Sequence, residues 1–140
     1  MPQMIFVNLP VRDLETSKAF WTELGYSFDP DFSDENAASL IISDTIFAML
    51  LTEPKFKEFT GKEITNAATS TEVILCLSAE SREKVDELVD AALAAGGTAA
   101  NDPHDYGFMY ERSFQDPDHH NWEVMWMDED AARKAMAEGR

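Results

Sequence analysis

Residues 114–124 read Phe114-Gln115-Asp116-Pro117-Asp118-His119-His120-Asn121-Trp122-Glu123-Val124. The Asp-Pro-Asp run is turn chemistry, because proline presets φ and aspartate side chains hydrogen-bond the backbone two residues on. The segment therefore reads as a strand over Tyr110 to Phe114, a tight turn, and a second strand over Trp122 to Met127. Alternation along the second strand sends Glu123, Met125 and Met127 to one side and Trp122, Val124 and Trp126 to the other. A lone carboxylate among methionines thus sits opposite a face suited to packing.

Working backwards, Val73 to Leu77 is an apolar strand, Ser78 or Ser81 can cap a helix reaching Ala95, and Gly96-Gly97 stops that helix before a short strand over Thr98 to Asn101. The first half runs in the same order. Ile5 to Val11 alternates as a strand, and Asp13 caps a helix over Leu14 to Leu24. That helix buries Leu14, Phe20, Trp21 and Leu24 and stops at Gly25. Short strands over 26–32, 37–42 and 46–51 follow. The two glycine stops lie half a chain apart, so the order β-α-β-β-β occurs twice. The spacing predicts one domain over 1–140, with module 1 over about 1–52, a connecting loop over about 53–70 and module 2 over about 71–128. A helical tail is expected over about 129–140. The connection is long for a compact domain, which predicts a lid or a partly helical segment around Phe56 to Thr60.

Composition bounds the functions open to such a chain. Its 140 residues suffice for one core burying roughly 68% of the unfolded surface. With 27 acidic and 11 basic residues the formal charge is -16, which opposes nucleic acid phosphates and anionic lipid headgroups. Neither nucleic acid nor membrane is an expected partner. The single cysteine, Cys76, lies in an apolar run and reads as a small hydrophobe. With no disulfide to form and no signal-type segment read at the start, a reducing cytoplasm is the expected compartment.

The 114–124 string resembles the F-x-D-P-D-G-H-x-W-E-V signature of the vicinal oxygen chelate superfamily, which includes glyoxalase I, extradiol dioxygenases, and bleomycin and fosfomycin resistance proteins. Asn8-Leu9-Pro10-Val11, Asp13-Leu14, Ser17, Phe20-Trp21 and Leu24-Gly25 look like its first strand and helix. The resemblance implies an α+β fold in which two paired β-α-β-β-β modules form a cup-shaped mixed sheet with helices outside. It also implies one divalent metal in the cup, held by histidines and glutamates from both modules. On that pattern the first ligand position falls on Phe6 and the second near Leu50, where neither residue can ligate. The third falls on Glu72, or on Val73 after a one-residue slip, and only Glu123 matches residue for residue. His119 stands where the family has glycine. Metal is therefore not the favoured cofactor. If one is present, Glu123 and Glu72 are the candidate ligands.

In place of a metal, the resemblance leaves an apolar cup. Glu123 is the candidate acid, base or anchor, with a raised pKa, and Tyr110 the candidate hydroxyl donor. Phe6, Asn8, Ile74 and Met125 are expected to line the pocket, with Phe56 and Phe59 near its mouth. The Glu53 to Phe59 loop interleaves lysines and aromatics, which suits an aromatic or anionic ligand. His104, His119 and His120 read as solvated surface histidines. Two readings stand: a metal-independent small-molecule binder resembling bleomycin resistance proteins, or a glyoxalase-like lyase or extradiol dioxygenase-like enzyme with a shifted metal site. A homodimer is expected, since family members commonly pair or exchange modules to complete their cups.

Overall fold

The computed structural model describes residues 2–139. Strand β1 (Ile5–Val11) leads into helix α1 (Leu14–Glu23), whose first turn is capped by the Asp13 side chain accepting from Glu15 N. Gly25, at φ 97°, ends that helix, in a conformation that costs other residues about 1–2 kcal/mol. Strands β2 (Ser27–Asp29), β3 (Ala37–Ile41) and β4 (Ile46–Thr52) complete the first module. The second strand ends earlier than its apolar run suggests. Pro30 opens a single 3-10 turn over Pro30–Phe32, with the Asp29 side chain accepting from Asp31 N.

The connecting segment carries helix α2 (Glu53–Lys57), which lies earlier than the helical stretch expected around Phe56 to Thr60 and overlaps it only at Phe56 and Lys57. The second module follows as β5 (Ile74–Ser78), α3 (Arg82–Ala94), β6 (Thr98–Ala99), β7 (His104–Asp105), β8 (Met109–Gln115) and β9 (Asn121–Met127), with α4 (Glu129–Glu138) as the tail. Ser81 is the cap of α3, its hydroxyl accepting from Lys84 N. Strand β7 is an addition to the expected order. It pairs with β8 outside the main path of the sheet.

Each module forms one mixed sheet, ordered β1-β4-β3-β2 and β5-β9-β8-β6, with the parallel pair at one edge. This is the α+β arrangement of two β-α-β-β-β units. The inner faces share one core: Leu9, Val11, Leu40, Ala48 and Leu50 from the first sheet, Phe20 and Trp21 from α1, Val85 and Val89 from α3, and Phe114, Trp122 and Val124 from the second. Trp21 meets Trp122 edge-on at 4.7 Å between ring centroids. The two sheets are thus packed back to back through their helices. Among the described residues no strand of one hydrogen-bonds to a strand of the other. The cup expected between the sheets therefore does not close within one chain, because the helix-packing faces, not the open ones, meet.

Candidate functional site

The Asp-Pro-Asp turn positions Glu123. Asp116 is buried and its carboxylate accepts from Asp118 N (2.9 Å), His120 N (3.0 Å) and the Trp122 indole N–H (3.0 Å). The same turn is welded to the first module. Asp118 accepts from Arg12 N (2.9 Å), Arg12 Nε (3.1 Å) and Ser17 Oγ (3.3 Å), and the Arg12 guanidinium also donates to Pro117 O. His120 Nε2 donates to Pro10 O at 2.7 Å, which fixes its tautomer, since a carbonyl can only accept. His119 takes φ 67°, the left-handed conformation for which the glycine of the motif is suited. Both histidines are half-buried members of the turn, contrary to the expectation of solvated ones.

That turn fixes the register of β8 against β9: Ser113 faces Glu123, Glu111 faces Met125, and Gln115 faces Asn121. Cys76 of β5 pairs with Glu123 from the other side. Ile74, Cys76, Glu111, Ser113, Glu123 and Met125 therefore share the open face of the second sheet. Ser113 Oγ accepts from Asn101 N (2.9 Å), Gln115 donates to Asn121 (3.1 Å), and His104 Nδ1 lies 2.9 Å from Glu111 Oε1. Among the described residues the Glu123 carboxylate makes no hydrogen bond. Partial burial raises its pKa, as expected. The Glu111 charge adds to the rise and His104 opposes it. Burial, with Glu123 and Glu111 behind it, pushes the Cys76 thiol up to about 11. The Glu111 charge thus bears on both Cys76 and Glu123 across the face.

Tyr110 is not part of this face. It pairs with Trp126 on the helix side, donates to Asp86 Oδ1 on α3 at 2.6 Å, and lies under the Arg82 guanidinium. A tyrosine one residue from Glu111 must point the opposite way, which corrects its assignment as the ligand's hydroxyl donor. Phe6 and Asn8 do occupy the open face of the first sheet, beside Phe47 and Met49. The Phe6 and Phe47 rings stack at 5.2 Å with 12° between planes. Ile74 and Met125 stand on the same face as Glu123, but Phe6 and Asn8 belong to the other sheet, which looks away from it. Phe56 and Phe59 lie on or just after α2, where Phe59 packs under Lys55, and the hollow that Glu123 lines with Ile74, Ser113 and Trp122 includes neither.

Among the described residues neither half carries a metal donor set. Leu50 is in the core, so the open-face positions of β4 are Phe47, Met49 and Leu51, none of which offers the imidazole, carboxylate or thiolate donor of a typical divalent site. Glu72 precedes β5 and is exposed, lining a crevice with Pro10, His119 and His120 rather than joining Glu123. Among the described residues no three His, Cys, Asp or Glu side chains are arranged to hold an ion. The residues present do not fit the metal that the superfamily resemblance implies. Glu111, His104 and Cys76 were missed as neighbours of Glu123. Only the strand register reveals them.

Comparison with known proteins agrees with this architecture. Residues 3–43 match the family model for bleomycin resistance protein-like N-terminal regions. The structure resembles a hypothetical protein from S. aureus at 25% identity and TM-score 0.76, over 90% of this chain and 94% of that one. It also resembles a glyoxalase/bleomycin resistance protein/dioxygenase family enzyme from Burkholderia phytofirmans (18% identity, TM-score 0.76, 90% and 99% covered). A fosfomycin resistance protein from Listeria monocytogenes is a further neighbour (20% identity, TM-score 0.64, 90% and 91% covered). A search of curated proteins finds no match. The chain has the glyoxalase/bleomycin resistance/dioxygenase fold. Fold and N-terminal match together support the vicinal oxygen chelate superfamily indicated by the Asp116 to Glu123 motif. No helix among the described residues is long and apolar enough to cross a membrane.

Proposed function

We propose that this protein binds a small organic molecule, without a metal, in a cup assembled from two copies: the open face of one first sheet set against the open face of the other copy's second sheet. The observation that carries this reading is Glu123, a carboxylate unpartnered among the described residues, on a face where Ser113, Gln115 and Glu111 each have a hydrogen-bond partner. One such group amid apolar walls is how a pocket orients a ligand. Support for two copies comes from the sheet edges. Strands β1 and β5 are both edge strands, and Ile5, Phe6, Val73 and Ile74 on or beside them are each 45–55% exposed. Unpaired edges flanked by exposed apolar residues favour pairing with another chain. A cytoplasmic location belongs to the same reading and rests on the single cysteine.

The competing reading, a glyoxalase-like lyase or dioxygenase with a shifted metal, requires ligands from the first sheet, where Phe6, Phe47, Met49 and Leu51 stand. The two readings separate in a thermal-shift experiment. Zinc, nickel, manganese or iron(II) should leave the melting temperature essentially unchanged. A true site filled to 1,000 times its dissociation constant would add about 4 kcal/mol. A large metal-dependent rise that Glu123→Gln abolishes would overturn the metal-free reading.

A further inference from the structure

The two open faces carry charge of one sign. Among the described residues, the face around Glu123 presents Glu123 itself and Glu111, with His104 against Glu111 at the rim. The facing half would supply Phe6, Asn8, Phe47 and Met49. Among the described residues Arg112 is the one lysine or arginine found in any strand, and it points to the helix side, 2.9 Å from both Asp86 and Asp90. Arg82 is likewise taken up by Asp105 and the Gly107 carbonyl. Lys55, on the connecting helix, pairs with Glu58. Of the lysine-rich loop that suggested an anionic ligand, Lys55 is thus already neutralised within its own helix.

The apolar half is of a particular kind. Phe6 and Phe47 are stacked with nearly parallel planes, and Phe6 is 51% exposed, so an aromatic surface is displayed rather than buried. Ring faces carry negative quadrupole density and attract cations, most strongly when water is excluded. We propose, on the reading that the cup forms, that its ligand is an organic cation: a protonated amine on an aromatic or apolar body, the ammonium at Glu123 and the body against Phe6 and Phe47. An anion would meet two carboxylates on a face to which the strands of the second sheet turn no lysine or arginine. A neutral molecule would leave the charge of Glu123 buried without a counter-charge, which is costly. A cation also restores the ionised carboxylate that burial and Glu111 disfavour.

The test uses three probes of one shape: 2-phenylethylamine, 2-phenylethanol and phenylacetate, titrated into the full chain by calorimetry and by saturation-transfer NMR. The amine should bind about tenfold more tightly than the alcohol, with the acid weakest of the three. Glu123→Gln, which should fold normally, should bring the amine to within about twofold of the alcohol, and Phe6→Ala should weaken both. If the acid equals or exceeds the amine, or the alcohol matches it, the charge inference falls while the cup reading stands. An amine preference that survives Glu123→Gln also overturns it. If no probe binds, the cup reading falls with it.

Discussion

Trp122 and Glu123 are consecutive residues with opposite surroundings. The indole of Trp122 is 1% exposed, packs on Trp21 and donates to Asp116, whereas the Glu123 carboxylate has no hydrogen-bond partner among the described residues. Truncating the tryptophan to alanine should cost roughly 3–5 kcal/mol, the range for large aromatic deletions in cores. Glu123→Ala should cost far less, since removing a partly buried carboxylate without a hydrogen-bond partner among the described residues also removes a burial penalty. Chemical denaturation of both variants checks the order. A more destabilising Glu123→Ala, or free quenching of Trp122 by iodide, would mean that β9 faces the other way. The facing of these two was legible because side-chain type and strand parity agree. Tyr110 was misjudged because its chemistry suits a pocket while its parity does not. Parity across β8 and β9 depends on the length of the turn between them, and a one-residue change reverses every side chain.

Strand β7 is too short to be read from the sequence, and side chains hold it in place. Arg82, at the start of α3, donates to both Asp105 oxygens at 2.7 and 2.8 Å and to the Gly107 carbonyl at 2.9 Å, while stacking over Tyr110 and Trp126. Arg82 hydrogen bonding first, then the Gly107 N–H, lowers the Asp105 pKa from 3.8 to about 2. A carboxyl whose folded pKa is depressed contributes stability that is complete above its unfolded value and lost as pH falls through the folded one. The β7 latch should therefore hold down to about pH 3 and release toward pH 2. NMR titration of the Asp105 carboxyl carbon should show a midpoint near 2, returning toward 3.8 in Arg82→Ala. An unchanged midpoint in that variant would show that Arg82 is not the cause. The longer elements were legible because their caps were explicit: Asp13, Ser81, Gly25 and Gly96 bound two helices, and Gly97 is required where a Cβ would meet the Gln115 and Ala92 carbonyls at 2.8 and 2.9 Å.

For the whole molecule, the back-to-back packing leaves two half-cups facing outward, and this leads to a quantitative expectation. The chain should dimerise with two-fold symmetry, sedimenting at twice 15.7 kDa at micromolar concentration. Its charge of -16 should not prevent this at physiological salt, where screening acts within about 8 Å. Ile74→Glu, placing an acid on the exposed β5 edge, should shift the equilibrium to monomer while leaving the core intact. A wild-type chain that remains a 15.7 kDa species would exclude a cup built from two copies.

The sequence by itself determined the repeated β-α-β-β-β order, the helix limits, the turn and the facing of Trp122 and Glu123. Each of these follows from local rules of capping, alternation and turn chemistry, which act over a few residues. Only the tertiary structure decided which faces meet. Apolar residues line both sides of each sheet, so hydrophobicity alone does not say whether the helices lie between the sheets or outside them. The interlock of Trp21 with Trp122 and Phe114 settles that choice, and the ties from Arg12 and Ser17 to the Asp118 turn hold it. The neighbours of Glu123 were hidden for the same reason. Cys76, Glu111 and His104 come from three other strands, and only the hydrogen-bond register between those strands sets them beside one carboxylate.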